Sequence, residues 1–370
     1  MSEPNQPRIL PRDDLRSLEG YHSPQLDVSV RLNTNESPFP PPDGFVEAWL
    51  AELGSTPLHR YPDRAARTLR DAIGESIGQP SARVFCANGS NEVLQTLMLT
   101  YGGSGRSALV FEPTYALHSH ISHLTGTEVV VGPRRDDFLV DPDAARALIE
   151  EHQPEIVFLC SPNNPTGTVE PPETIAAILE VAPGLVIVDE AYGEFARDTA
   201  LDLVDDERAL VVTRTYSKVW SLAALRLGYC VAPSWVVTEL EKVVLPYHLD
   251  VSTQLAGTTA LQFRSEMEAR VAFLVEDRER LASALDELDG ITVFPSGANF
   301  LLFRVTLSGP EADDGGHAIW QALVDRGVLL RDFSRWPGVE GCLRVTVGTT
   351  VENDAFLSAL TDVLREHGRR

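Results

Sequence analysis

Between residues 83 and 232, short aliphatic runs alternate with helical segments, and that alternation restricts the chain to an α/β fold. The runs lie at 83–86, 107–111, 128–131, 156–160, 185–188, 209–212 and 227–232. Helices are predicted over 64–77, 90–101 and 172–180, and another opens near Asp141 and Pro142. Short β-branched runs separated by helices mean βαβ units and a mainly parallel sheet. After about residue 260 the texture changes. One long charged helix is expected over 262–288. Strands at 300–303, 328–331 and 343–347 and helices near 315–326 and 352–366 follow, which makes a smaller α+β domain. Residues 1–45 are rich in Pro, Asn and Asp and read as an extended arm that packs on another subunit or over the site; 1–15 alternatively form a disordered tail. The expected division is 1–45 as arm and part of the small domain, 46–260 as a large domain and 261–370 as a small one.

Composition excludes several classes of function. A net charge of -23 argues against a nucleic-acid partner, which needs clustered cations, and against anionic membranes. An anionic substrate would need a basic pocket inside this acidic exterior. The N-terminus shows no apolar signal core, and no apolar run approaches the roughly 20 residues of a membrane span. Cys86, Cys160, Cys230 and Cys342 are widely spaced beside apolar runs, which suits free buried thiols in a cytoplasmic protein.

Open α/β sheets place their sites beyond the carboxyl ends of the strands. Two groups follow such ends here: Pro162-Asn163-Asn164 and Asp189. Only two of the 31 basic side chains are lysines, Lys218 and Lys242. Lys242 has acidic neighbours on an amphipathic helix and reads as a surface salt-bridge lysine. Lys218 stands near Arg214 and Arg226, and burial near cations lowers an amine's pKa. A neutral lysine attacks an aldehyde to give an imine, which arginine cannot do. With Asp189 placed to protonate a pyridine nitrogen, the set suggests pyridoxal phosphate. Tyr192 and Asn164 are candidates for its phenolic oxygen. Gly89, Ser90 and Asn91 open a helix, whose N-terminus binds anions, and Ser217 and Arg226 would complete a phosphate cradle. Tyr115 either stacks on the ring or is a core aromatic. Gly102-Gly103-Ser104-Gly105 follows a helix and reads as a loop. His118, His120 and His123 lack a fourth ligand and read as a partly exposed helix face, so no metal site is expected.

The chain resembles fold-type I, class I/II pyridoxal-phosphate aminotransferases, and within them is most similar to the histidinol-phosphate aminotransferases. The matching blocks run in order over about residues 20–360: LNTNESPFPPP, HRYPD, NGSNE, EPTY, SPNNPTGT, IVDEAYGEF, TYSKVWSLAALRLGY, PYHLDVSTQ, GANFLLF, LLRDFS and GCLRVTVGTTVENDAF. The resemblance implies a seven-stranded, mainly parallel sheet and a small C-terminal domain. It implies Lys218 as Schiff-base lysine and proton shuttle, Asp189 at the pyridine nitrogen, Tyr192 and Asn164 at the phenolic oxygen, and Tyr115 stacked on the ring. Ser90, Asn91, Ser217 and Arg226 would hold the phosphate. Tyr61 would reach the cofactor of a neighbouring subunit, which implies a homodimer. Arg344 would bind a donor carboxylate, and Tyr21 and Arg331 a distal phosphate or carboxylate. The implied reaction is ping-pong transamination between histidinol phosphate and 2-oxoglutarate in histidine biosynthesis. An aromatic amino-acid aminotransferase and a decarboxylase of a phosphorylated amino acid are the alternatives. Two departures bear on the substrate: Ala224 stands where the family usually has glycine, so the loop near the cradle is expected to shift, and the surroundings of Tyr21 match loosely.

Overall fold

The structure, a computed structural model, describes residues 10, 12, 15, 16, 20, 25–307 and 314–367. Its strands are β1 (Val30–Leu32), β2 (Val84–Ala87), β3 (Ser107–Glu112), β4 (Glu128–Pro133), β5 (Ile156–Cys160), β6 (Leu185–Asp189), β7 (Leu210–Thr215), β8 (Gly228–Val231), β9 (Ile291–Val293), β10 (Phe300–Val305), β11 (Val328–Asp332) and β12 (Cys342–Thr346). All seven apolar runs between 83 and 232 become strands of one sheet, ordered β2-β8-β7-β6-β5-β3-β4. Only β8 runs antiparallel to its neighbours.

Pleating explains why these runs are apolar at every position. Successive side chains point to opposite faces, and both faces here are covered by helices. Leu109, Val157, Val186, Val188 and Val212 join the core on one side. Val110, Ile156, Phe158, Ile187 and Val211 join the core on the other. Each such side chain, fully buried, contributes roughly 1.5–3 kcal/mol.

The second sheet has the order β1-β11-β12-β10-β9. Its first strand comes from the N-terminal segment: β1 pairs in parallel with β11, Val30 opposite Val328 and Leu32 opposite Leu330. The expected arm is therefore tied into a sheet at residues 30–32, and the chain that leaves it at Asn33 runs into the site. The long charged helix spans Arg264–Asp286 and the last helix Thr350–His367. Both pack on this sheet around Leu281, Leu285, Phe303, Phe356 and Leu360. The other α-helices of the described residues are Phe45–Gly54, Arg67–Ile77, Ser90–Tyr101, Leu117–Thr125, Pro142–His152, Pro172–Val181, Ser234–Val243, Val251–Ala260 and Gly315–Val324. No helix of the described residues is long and apolar enough to cross a membrane. The four cysteines are buried and free.

One glycine fixes how the first of these sheets meets the site. A Cβ on Gly228 would lie 2.1 Å from the Ser90 amide nitrogen and 2.4 Å from the Gly89 carbonyl carbon. Backbone is the obstacle, so no rotamer change relieves it. Only glycine at the start of β8 lets helix Ser90–Tyr101 begin against the sheet. Gly228→Ala is expected to destabilise the protein by on the order of 1–3 kcal/mol, and it should weaken phosphate binding at that helix start. Thermal melts with and without inorganic phosphate check both; an unchanged melt would mean the contact is slack.

Candidate active site

Antiparallel insertion of β8 has a consequence for geometry. The carboxyl ends of β3, β5, β6 and β7 and the start of β8 lie at one edge of the sheet. The helix that follows β2 opens there too. Together with β11 and β12 they enclose a cleft of about 240 Å³. The cleft brings together Ser90, Asn91, Tyr115, Asn164, Asp189, Tyr192, Ser217, Lys218, Arg226, Arg331 and Arg344, which is every predicted site residue except Tyr61 and Tyr21. Tyr61 is 80 % exposed and stacks on Tyr247, ring centroids 4.4 Å apart, outside the cleft. Tyr21 lies outside the described residues.

Lys218 Nζ donates to the Thr34 carbonyl at 2.9 Å. Its pKa is lowered to about 7, first by burial among protein atoms and then by the nearby charge of Arg344; Arg226 adds less, and Glu36 opposes. The cation expected beside it from sequence, Arg214, is elsewhere: it pairs with Glu190 at 2.7 Å. Arg344, from the other sheet, takes its place. Lys242 is exposed and pairs with Glu239 at 2.5 Å.

Asp189 is the last residue of β6 and is buried. Oδ1 accepts from the Ala191 amide and the Thr213 hydroxyl, both at 3.1 Å. Oδ2 lies 3.1 Å from His118 Nε2. This corrects the reading of His118 as part of an exposed face. Helix Leu117–Thr125 turns His118, Ile121 and Ser122 inward and His123 outward. His118 stacks on Phe158 at 4.8 Å and meets the edge of Tyr115 at 5.6 Å. The available signal was its spacing, three residues after Tyr115 at the start of a helix.

Asn35 was also missed. It is buried with φ 57°, donates to the Tyr192 hydroxyl at 2.9 Å and accepts from Thr346 at 2.8 Å. Burial pushes the Tyr192 phenol up to about 12, against the pull of Arg344 and Asn35, so it keeps its proton at neutral pH.

Arg226 sits at φ 52° after the short helix Ala223–Leu225, and its Nη1 reaches Ser217 Oγ at 3.5 Å. A Cβ on Gly89 would come within 2.7 Å of its Nη2. One guanidinium, two hydroxyls and the first amides of a helix make a donor set that fits a phosphate monoester. Tyr115 Oη donates to Asn91 Oδ1 at 3.5 Å on the adjoining wall. Ala224 is exposed in the short helix Ala223–Leu225 that leads to Arg226.

Arg331 and Arg344 are register partners across β11 and β12. Arg344 is buried, donates to the Asn33 carbonyl at 2.8 Å and to Asn164 Oδ1, and lies over the rings of Phe300 and Phe333. Arg331 is half-buried beside Phe333. The cleft thus holds two cationic subsites with a readily neutralised amine between them. Such a site binds two anionic groups and presents a nucleophile and proton carrier to the atoms between them.

The family model "Aminotransferase class I and II" matches residues 28–360, and the chain belongs to that family. It is 45% identical over 362 residues to the histidinol-phosphate aminotransferase of Corynebacterium efficiens, covering 95% of this chain and 94% of the relative. It is 46% identical over 356 residues to that of Thermobifida fusca, covering 94% of each. Among solved structures it resembles histidinol-phosphate aminotransferase from Sinorhizobium meliloti in complex with pyridoxal-5'-phosphate, with TM-score 0.83, 23% identity and 92% of each chain covered.

An ordinary lysine is neutral in well under about one molecule in a thousand at pH 7. With its pKa lowered to about 7, Lys218 is neutral in about half. Because the neutral amine reacts, the rate at which the cofactor-free protein captures pyridoxal phosphate covalently should rise about tenfold per pH unit below 7 and level off above it. Stopped-flow absorbance checks this. A rate still climbing at pH 9 would mean that Lys218 is not desolvated.

Proposed function

We propose that the chain catalyses pyridoxal-phosphate-dependent transamination between L-histidinol phosphate and 2-oxoglutarate, giving imidazole acetol phosphate and glutamate. The observation that carries this reading is the pairing of Lys218 with two separate cationic subsites, Arg226 on one side and Arg331 with Arg344 on the other. One subsite suits the phosphate of the cofactor. The other must accept a phosphate monoester from one substrate and a carboxylate from the other, and guanidinium groups bind both. The named relatives, at about 45% identity over nearly the whole chain, support the choice of histidinol phosphate.

The cofactor, when bound, supplies the electron sink that makes the amino-bearing carbon of the substrate acidic. The remaining work falls to side chains of this chain. Asp189, fixed by Thr213, Ala191 and His118, holds a proton at the pyridine nitrogen. Tyr192 and Asn164 would donate to the phenolic oxygen, and Tyr115 would stack on the ring. Ser90, Asn91, Ser217 and Arg226 would hold the phosphate. Lys218, whose amine readily loses its proton, would accept a proton from the amino-bearing carbon of the substrate. Arg331 and Arg344 orient the substrate by its anionic end, and Tyr21 would assist them.

The same reading makes the enzyme a homodimer. Tyr61 points away from its own cleft and stacks on Tyr247, with Leu58 and Leu245 at 70% and 75% exposure nearby in the chain. A second copy would cover them and receive Tyr61 at its cofactor phosphate. Four buried unpaired thiols support a reducing compartment, the cytoplasm.

A single-turnover titration of the pyridoxal form tests the proposal. Rapid spectral conversion by L-histidinol phosphate and slow conversion by L-phenylalanine is expected. Faster conversion by phenylalanine would make the enzyme an aromatic aminotransferase. Release of carbon dioxide from a phosphorylated amino acid without a 2-oxo acid would make it a decarboxylase. Arg331→Leu should raise KM for histidinol phosphate about 10–100-fold, the worth of one charge-assisted contact, with kcat nearly unchanged. An equal fall in kcat with constant KM would remove Arg331 from ground-state binding.

A further inference from the structure

Three consecutive residues of the segment leaving β1 each meet a different side chain of the cleft. The Asn33 carbonyl accepts from Arg344 at 2.8 Å, the Thr34 carbonyl accepts from Lys218 at 2.9 Å, and the Asn35 side chain donates to Tyr192 at 2.9 Å. Backbone makes the first two contacts, but the third needs a side-chain donor. Asn35 is 1% exposed and sits at φ 57°, a left-handed conformation that asparagine tolerates better than most residues. Asn299 donates to its carbonyl at 3.2 Å, and the Asn299 carbonyl in turn accepts from the Val347 amide just beyond β12 at 2.8 Å. The Asn35 side-chain amide is thus held between β12 and Tyr192.

The direction of each bond follows from counting donors. Thr346 Oγ accepts from the Asn35 backbone N–H at 3.0 Å, and its other partner among the described residues is the Asn35 side chain, at 2.8 Å. The Thr346 proton goes to that second partner, so the Asn35 atom facing Thr346 is the oxygen. The atom facing Tyr192 is then the amide nitrogen. With the amide reversed, Thr346 would face two donors and Tyr192 would spend its proton on Asn35. As it stands, Tyr192 Oη accepts from Asn35, its one hydrogen-bond partner among the described residues. The phenol proton is left to point away from Asn35, and the Tyr192 side chain lines the cleft. Neighbouring charges do not take that proton. Asp189 already accepts from Thr213 and Ala191 and meets His118. Arg344 offers only donors, and Lys218 Nζ stands over the ring, 5.6 Å from its centroid. Accepting the Asn35 N–H also makes the phenol a better donor.

We infer that Asn35 is a positioning residue for the reaction proposed above: by donating to Tyr192 Oη it aims the phenol proton at the phenolic oxygen of the bound cofactor. The inference rests on the reading of the cleft as a pyridoxal-phosphate site. Without the Asn35 donor, the phenol proton is free to turn toward the space beside Thr346. With it, that direction is closed and the cofactor side remains.

A pH titration of the holoenzyme's visible absorbance tests this. The band changes as a proton leaves the atoms beside the phenolic oxygen, and a donor on that oxygen lets the proton leave at lower pH. Tyr192→Phe should raise the midpoint by about 1–2 pH units, the worth of one hydrogen bond to a charged group. Asn35→Leu removes the donor, and Asn35→Asp puts an acceptor in its place while keeping an oxygen for Thr346. Each should raise the midpoint by at least about half a unit. Made on Tyr192→Phe, each should move it by less than half as much, because the hydroxyl it acts through is gone. Asn35→Asp carries the test if Asn35→Leu does not fold. A midpoint unmoved by either variant, or moved equally with and without the Tyr192 hydroxyl, would overturn the inference and leave the reading of the cleft standing. A wild-type protein with no visible band, or a midpoint unmoved by Tyr192→Phe, would overturn that reading and this inference with it.

Discussion

The Arg344 guanidinium joins the two sheets at the point where the chemistry happens. It belongs to β12, yet it donates to Asn33 in the segment leaving β1 and to Asn164 beyond β5. After burial, its charge does most to lower the Lys218 pKa, and it also opposes the effect of burial on Tyr192. Burying a guanidinium is costly unless its donors are used and its charge has work to do. Here the same charge that favours the neutral lysine is placed to attract an anionic substrate. In the proposed reaction, lowering the lysine pKa and binding the substrate would be two results of one placement.

A rigid frame keeps the opposite wall in register. Arg134 and Glu170 form an ion pair with side chains 1% and 0% exposed. Arg134 also donates to the carbonyls of Phe111 and Phe138 and to Asn163. Asn163 in turn donates to the Pro113 carbonyl and Thr166 and accepts from Thr114. Buried charges of this kind specify geometry more than they stabilise. This network ties the loop after β3 to the loop after β5, so Tyr115 and Asn164, one residue from its members, inherit fixed positions.

Much of this was legible in the sequence because it depends on local pattern. Runs such as Val186-Ile187-Val188 are apolar on consecutive residues, which only a strand covered on both faces requires. Asp189, Asn164 and Lys218 stand at or just after such runs, and the sheet topology turns that position into proximity. His118, Asn35 and the partner of Lys218 were not legible, since each depends on where distant segments meet. His118 read as part of a partly exposed helix face, and the helix phase turns it toward β6. Asn35 acts 157 residues away from Tyr192. Arg214 is closer to Lys218 in sequence than Arg344, but its strand position points it at Glu190 instead. Tertiary context overrode sequence proximity in each case.

The electrostatics of the whole chain and of its cleft have opposite signs. A surface carrying a net charge of -23 repels phosphates and carboxylates. Beyond about 8–10 Å, solvent ions screen most of that repulsion. The cleft then presents Arg226, Arg331 and Arg344 in a poorly solvated setting, where their attraction is least screened. Lys218 loses its proton readily there, first because it is buried and then because Arg344 and Arg226 already supply positive charge that cannot be titrated away. A lysine in their place would compete for the same proton. The use of arginine at every anion-binding position therefore leaves one titratable amine in the cleft, and that amine is the one the chemistry needs.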